Sequence, residues 1–219
     1  MKCTKHELSK TFTALPYAMA IAVAAAMPPS GAWAADPAAT IDPGRAADVK
    51  GHRHERILRF DVSENAKRFI FDETPMTPGP DGNEVPGDGN EFKTEGYIYE
   101  AGTLTGDGDG VNPDGSPQYP DRVIGTWYCW GFHVGNGGAT VTGPWVITQQ
   151  LYDFGEKVGR MSLTSAGLEL VDVGVPIKRA ITGGTGPFDE ARGEVKQTMI
   201  GFNGLNGVNL RYRLEVKGD

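Results

Sequence analysis

Near the carboxyl-terminal end, "VNLRYRLEV" alternates without a break. Val208, Leu210, Tyr212, Leu214 and Val216 fall on one side, and Asn209, Arg211, Arg213, Glu215 and Lys217 on the other. A period of two marks a strand with one buried face. The same beat runs through "RILRFDV", where Leu58, Phe60 and Val62 oppose Arg59 and Asp61. It returns in "GRMSLTSAGLELVDV", where Met161, Leu163 and Ser165 oppose Ser162 and Thr164. "RVIGTWYCWGFHV" differs, because Trp127 and Cys129 share one face while Tyr128, Trp130 and Phe132 share the other. Such a strand is expected to be covered on both sides, by a cavity and a subunit interface or by ordinary core. "KRFIFDE", "KTEGYIYEAGTL", "ATVTGPWVITQQLYDF", "KRAIT" and "ARGEVKQTMIGF" read as further strands. No window of a dozen residues carries a helical repeat. Roughly seven to nine strands joined by glycine-rich turns predict an all-β sandwich or a closed antiparallel barrel.

Two stretches cannot continue a ladder. Residues 73–92 and 106–121 are long, acidic and rich in Gly and Pro. They are expected to be loops, and loops of that length are often lids or mouths. Residues 35–54 carry Pro, Ala and Asp without periodicity and read as a flexible leader.

The amino-terminal segment has a different logic. Lys2, Lys5 and Lys10 precede an apolar run over residues 14–27, which stops at Pro28-Pro29 before Ala32-Trp33-Ala34. This is the order of a secretory signal cleaved after Ala34, and the apolar run is too short to cross a bilayer core of about 30 Å. Residues 1–34 are therefore expected to be a signal peptide, and the product to be secreted or periplasmic. Cleavage removes three lysines and one glutamate from a chain of net charge -7, making it more acidic still. An acidic product argues against nucleic acid or an anionic membrane as partner. Of the two cysteines, Cys3 leaves with the signal, so Cys129 has no intrachain partner.

One glycine-rich run, "RAITGGTGPFDEARGEV", raises the question of a phosphate loop. It lacks the Gly-Lys-Ser/Thr ending of a P-loop, the G-x-G-x-x-G spacing and a following helical pattern. A tight corner between two strands remains, with Gly183, Gly184 and Gly186 supplying backbone angles that other residues resist. The string "AITGGTGPFDEARGEVKQ" also resembles the signature of the allene oxide cyclase and dirigent superfamily, through Ala180 to Gly186, Phe188, Gly193 and Val195. The resemblance implies a closed eight-stranded, calycin-like antiparallel barrel over residues 55–219, with an apolar cavity and commonly a trimeric assembly.

On that resemblance "RFDVSEN" is similar to the cyclase first strand. Asp61 then stands where a cavity carboxylate stabilises developing positive charge, and Ser63 where an asparagine holds a water. "TWYCWGF" is similar to the strand carrying a cavity cysteine, which is Cys129 here. The cyclase's second-strand asparagine has no counterpart in "EGYIYEAGTL", and the two acidic loops exceed the family pattern. Tyr97, Tyr99, Trp127 and Trp145 join Cys129 as candidate ligand-binding residues, since aromatics of this size build either a core or a pocket wall.

Metal sites find less support. Asp107, Asp109, Asn112 and Asp114 are oxygen donors, but Val111 sits at the fifth position of an EF-hand count and no glutamate closes the loop. His52 and His54 lie in the leader without further ligands. No metal and no cofactor is expected. The expected function is a cofactor-free cyclase or isomerase, or a dirigent-like stereochemical guide, holding a small hydrophobic molecule in the barrel. The alternatives are a lipocalin-like carrier of a hydrophobic ligand and a structural or interaction barrel filled by side chains, with a homotrimer or homodimer as the assembly.

Overall fold

The computed structural model describes residues 55–217. The expected signal peptide, the whole of the expected leader and the two carboxyl-terminal residues lie outside that range. Eight long strands follow in order: β1 (Glu55–Glu64), β5 (Glu91–Glu100), β6 (Val123–His133), β7 (Pro144–Phe154), β8 (Met161–Leu170), β9 (Pro176–Gly184), β10 (Arg192–Phe202) and β11 (Val208–Lys217). Each pairs antiparallel with its neighbour, and β1 pairs with both β11 and β5, so the sheet closes on itself. This is a closed eight-stranded antiparallel barrel. Closure removes the open sheet edges that a sandwich would leave.

Three short strands complete the set. β2 (Ile70–Phe71) continues the line of β1 along β5, after a single 3-10 turn at Ala66–Arg68. "KRFIFDE" therefore gives only two residues of strand, because Asn65 caps the turn through its side chain and diverts the chain. β3 (Met76–Pro78) and β4 (Glu84–Pro86) form a small hairpin inside the expected loop 73–92. That hairpin leans on the 3-10 turn at Gly137–Ala139, where any Cβ on Gly137 would meet the Pro86 carbonyl at 2.1 Å.

The alternation along each strand sorts side chains between lumen and exterior. Leu58, Phe60 and Val62 point inward, as do Leu163, Ile181, Val195 and Leu214. Phe60 stacks on Tyr212 at 5.0 Å and meets Tyr152 and Phe154 edge-on at 5.3 and 5.4 Å. One end of the barrel is closed by this apolar packing together with Ile124, Met161, Phe188 and Val216. Each such side chain contributes about 1.5–3 kcal/mol when fully buried.

The corner at 183–186 is simpler than the sequence suggests. Gly186 alone of the three takes a left-handed φ, 61°. Gly184 is needed for space, since its Cβ would lie 2.6 Å from the Phe188 carbonyl and 2.8 Å from that of Ser162. Gly183 has neither constraint: its Cβ would touch only Thr164 Oγ1 at 3.8 Å. The backbone-angle reading thus fits Gly186 alone; Gly183 and Gly184 are the last residues of β9, and Gly184 is required there for space, not for its angle.

Candidate functional site

The expected catalytic pair does not reach the lumen. Asp61 and Ser63 alternate with Phe60 and Val62, so both face outward. They are buried there beneath residues 101–122, which strap the outside of β1, β5 and β11. Asp61 accepts from the Leu104 amide at 3.0 Å and pairs with Arg211 Nε at 2.9 Å, while Arg211 also donates to the Leu104 carbonyl. Ser63 accepts from Asn203 Nδ2 at 3.0 Å and lies against Gly110. Tyr97 and Tyr99 share this outer side, and their hydroxyls donate to the carbonyls of Gly115 and Gly110. Four of the expected site residues therefore fasten a strap. Asp61 as a lumenal charge stabiliser, Ser63 as a water holder, and both tyrosines as cavity walls are corrected by this geometry.

The strap also accounts for the acidic loop. Asp109 accepts from Thr105 N and Oγ1, Asp107 from the Phe202 amide, and Asp114 from Ser116. Asn209, on the outer face of β11, donates to the carbonyls of Gly106 and Asp109. Among the described residues no group of three or more His, Cys, Asp and Glu is gathered in a way that could hold a metal ion.

Trp127 and Cys129 do line the lumen, and Trp145 stands at its open end. That end is polar where the other is apolar. Arg179, on β9, is wholly shielded from solvent, and all five of its N–H groups have acceptors. Nε donates to Ser165 Oγ at 3.1 Å, and Nη1 donates to Thr148 Oγ1 at 2.8 Å and Glu169 Oε1 at 2.9 Å. Nη2 donates to the carbonyls of Thr148 and Ser165. Glu169, on β8, has one crowded oxygen: Oε1 accepts from Arg179, Thr148 and Gln150. Its Oε2 accepts from Gln197 Nε2.

Behind this ion pair, Gln150 Oε1 accepts from the hydroxyls of Tyr152 at 2.7 Å and Tyr212 at 3.0 Å. Burial holds both phenols above their ordinary range, so they stay protonated donors. The Cys129 thiol is pushed up in the same way, with the Glu169 charge adding to the effect. A thiol held protonated is a wall, not a nucleophile. His133, also at this end, is kept neutral by burial and lies between Phe92 and Trp145.

The lumen itself is packed. The free space noted among the described residues at this end is a recess of about 300 Å³ counting its open mouth, and its enclosed part, about 20 Å³, holds one water-sized group. The roomy apolar cavity expected from the resemblance is therefore a recess at the mouth instead. Trp145, Leu170, Val175, Ile177, Met199 and Val208 form its apolar walls, and Glu169 and Gln197 its polar floor. The Trp145 indole N–H is buried without a partner.

The sequence reading missed Glu169, Arg179, Thr148, Gln150 and Gln197. A signal was present, since each sits at the inward beat of an alternating strand. Val195-Gln197-Met199 and Val146-Thr148-Gln150-Tyr152 are runs in which a polar residue takes a core position.

The outer face of β6 is open. Trp130 and Phe132 are 39% and 47% exposed, and Phe132 lies in register with Ile147, which lies in register with Leu168. With Ile70 and Phe71, Trp130 and Phe132 edge a shallow groove of about 1100 Å³ counting its open side, of which about 590 Å³ admits water-sized groups.

No protein-family model matches the chain, and no curated protein does. Solved structures do share its fold. The pterocarpan synthase dirigent protein GePTS1 superposes with a TM-score of 0.52 at 13% identity, over 75% of this chain and 88% of that one. The pterocarpan synthase dirigent protein PsPTS1 gives 0.52 at 14% identity, over 76% and 97%. Eight antiparallel strands closed into a barrel, with the glycine corner between β9 and β10, give this chain the fold of the dirigent and allene oxide cyclase-like barrels.

Proposed function

We propose that the chain binds a small, mostly apolar molecule at the polar mouth of its barrel and guides it there without a cofactor, as a cyclase, an isomerase or a stereochemical guide. The observation that carries this reading is the recess floored by Glu169, about 300 Å³ counting its open mouth, whose enclosed 20 Å³ has to widen for a guest to sit deeper. Arg179 fixes that carboxylate through the 2.9 Å ion pair where water is scarce, and a fixed charge in a dry site acts strongly on nearby charge. Positive charge developing on a bound molecule is stabilised by Glu169, and the apolar walls limit the shapes the molecule can take. Restricting a flexible reactant to one geometry is itself a large share of catalysis. The solved structures named as pterocarpan synthase dirigent proteins support such a role for this fold, although a shared fold alone does not carry an activity.

Native mass spectrometry of the purified protein tests the reading. A retained apolar molecule that is lost in Trp145→Ala supports it. A protein free of small molecules that also binds no apolar probe favours the side-chain-filled structural barrel. Conversion of a bound molecule by the wild-type chain, abolished in Glu169→Gln, separates a guide from a carrier.

A second reading concerns assembly. The exposed row of Trp130, Phe132, Ile147 and Leu168 favours a homotrimer or homodimer, since contiguous apolar surface on a single chain usually marks a contact. Trp130→Glu with Ile147→Glu leaves a monomer in sedimentation if this face is the interface, and leaves the wild-type state unchanged if it is not. Export through the amino-terminal signal belongs to the same proposal, and detection of a mature chain beginning near Ala35 tests it.

A further inference from the structure

The outside of the barrel carries a charge pattern that the chain's net charge of -7 hides. Arg59 on β1 lies directly opposite Arg213 on β11, Arg213 opposite Lys196 on β10, and Lys196 opposite Lys178 on β9. Four cations thus form one row across four adjacent strands. All four sit on the outward beat, since their neighbours along the strands, among them Phe60, Tyr212, Val195 and Arg179, are buried. Adjacent strands stand about 4.8 Å apart, so the row runs about 14 Å. Like charges directly opposite one another in a sheet repel, and here such pairs follow in unbroken succession.

The charges beside the row only partly answer it. Toward the apolar end of the barrel, Glu194 lies opposite Glu215. Lys178 reaches Glu194 at 2.9 Å and Arg213 pairs with Glu215, yet the Lys178 side chain stays 74% exposed and that of Arg213 36%. Ion pairs as open as these contribute little and exchange readily for another anion. Arg59 is exposed and pairs with no carboxylate among the described residues. Toward the mouth, Asp61 engages Arg211, and Thr198 opposite Arg211 is uncharged. The result is a single file of cations bordered by carboxylates.

We propose that this row binds an acidic polysaccharide, a thin chain that repeats one carboxylate per sugar. Three features choose among anions. A file of four cations matches a partner whose charge recurs along a line, which a lone phosphate or carboxylate does not offer. The bordering glutamates repel any partner wide enough to reach them, so a bilayer surface or a nucleic-acid duplex meets carboxylates as well as cations. The outer positions beside the row, Ile57, Thr198 and Ala180 among them, hold no aromatic on which an unpaired base could stack. In the closed strand order β10 lies across the barrel from β6, so self-association through the apolar outer face of β6 leaves the row open. The site is separate from the recess and stands whether or not the recess holds a guest.

Fluorescence anisotropy of a labelled oligogalacturonate, titrated with the full chain, tests the proposal. Saturable binding is expected at 50 mM NaCl, about tenfold weaker at 200 mM, and none to the methyl-esterified oligomer, which has the same backbone without the charge. Arg59→Gln with Lys178→Gln is expected to weaken binding at least about tenfold. Both side chains are exposed and their loss relieves like-charge repulsion, so the urea midpoint should not fall. Glu194→Gln with Glu215→Gln is expected to tighten binding by clearing the border. Absence of binding at 50 mM NaCl overturns the proposal, as does equal binding by the folded Arg59→Gln, Lys178→Gln variant. Duplex DNA held as tightly as the oligogalacturonate overturns it too, since the bordering carboxylates would then select nothing.

Discussion

The two ends of the lumen solve the same packing problem in opposite ways. Around Phe60, Leu163, Val195 and Leu214 the interior is filled by apolar side chains, and its stability is the ordinary sum of buried surface. Around Arg179 and Glu169 the interior is filled by groups that are costly to bury singly and tolerable only together. Tyr152 and Tyr212 join the two, with rings in the apolar packing and hydroxyls on Gln150. A barrel needing only to be stable has no use for the second arrangement, because apolar residues of similar volume would serve as well or better. The difference teaches where to look for function: at the end whose stability is conditional.

The largest expected effect comes from breaking that condition. Arg179→Met leaves Glu169 buried without its cation and is expected to cost about 4 kcal/mol in urea unfolding. The double variant Arg179→Met with Glu169→Leu should recover most of the loss, and failure to recover would mean that the two ends are not held differently. At the apolar end, Leu163→Ala is expected to cost about 3 kcal/mol through a cavity, and probe binding at the mouth should stay unchanged. Gly184→Ala presses a methyl group into the Phe188 backbone and should cost about 1–3 kcal/mol, whereas Gly183→Ala has room and should stay within about 0.5 kcal/mol.

Glu64→Gln is expected to act in the opposite direction. Buried on the inward side of β1, Glu64 holds its proton more tightly in the folded chain than in the unfolded one, where a glutamate carboxyl titrates near 4.5. Its contribution is therefore fully present below that value and is lost as pH rises through the higher folded value. The variant should match wild type in acid and exceed it in urea midpoint at pH 7.5. A variant less stable than wild type at pH 7.5 would contradict a burial cost that outweighs the hydrogen bonds this carboxyl accepts.

Most of the fold was legible in the sequence, because alternation is a direct print of a half-buried strand. Val208 to Val216 and Leu58 to Val62 face inward as their spacing requires. The same spacing placed Asp61 on the opposite face from Phe60. The alignment to a cyclase first strand set it in the cavity against that pattern, and in a strand a shift of one position exchanges lumen for exterior. The ion pair was harder to see. Glu169 and Arg179 lie ten positions apart on different strands, and only the β8–β9 pairing brings them together. The breaks in β8–β9 and β7–β8 register are invisible to a count of residues. The strap escaped notice because its fastenings are backbone carbonyls and amides of a loop without periodicity. The outer apolar face of β6 was legible, and in the single chain it is open instead of covered.

The central claim is that an apolar guest enters at the polar mouth, and the tryptophans report on it. Trp127 lies inside the lumen, Trp145 at the mouth and Trp130 on the outer groove. Titrating the ¹⁵N-labelled chain with N-phenyl-1-naphthylamine and following the indole N–H signals distinguishes these three places in one experiment. The account predicts that Trp145 shifts first and furthest, and that Glu169→Gln weakens the shift. Movement of Trp130 alone, with Trp145 unchanged at saturation, would contradict it.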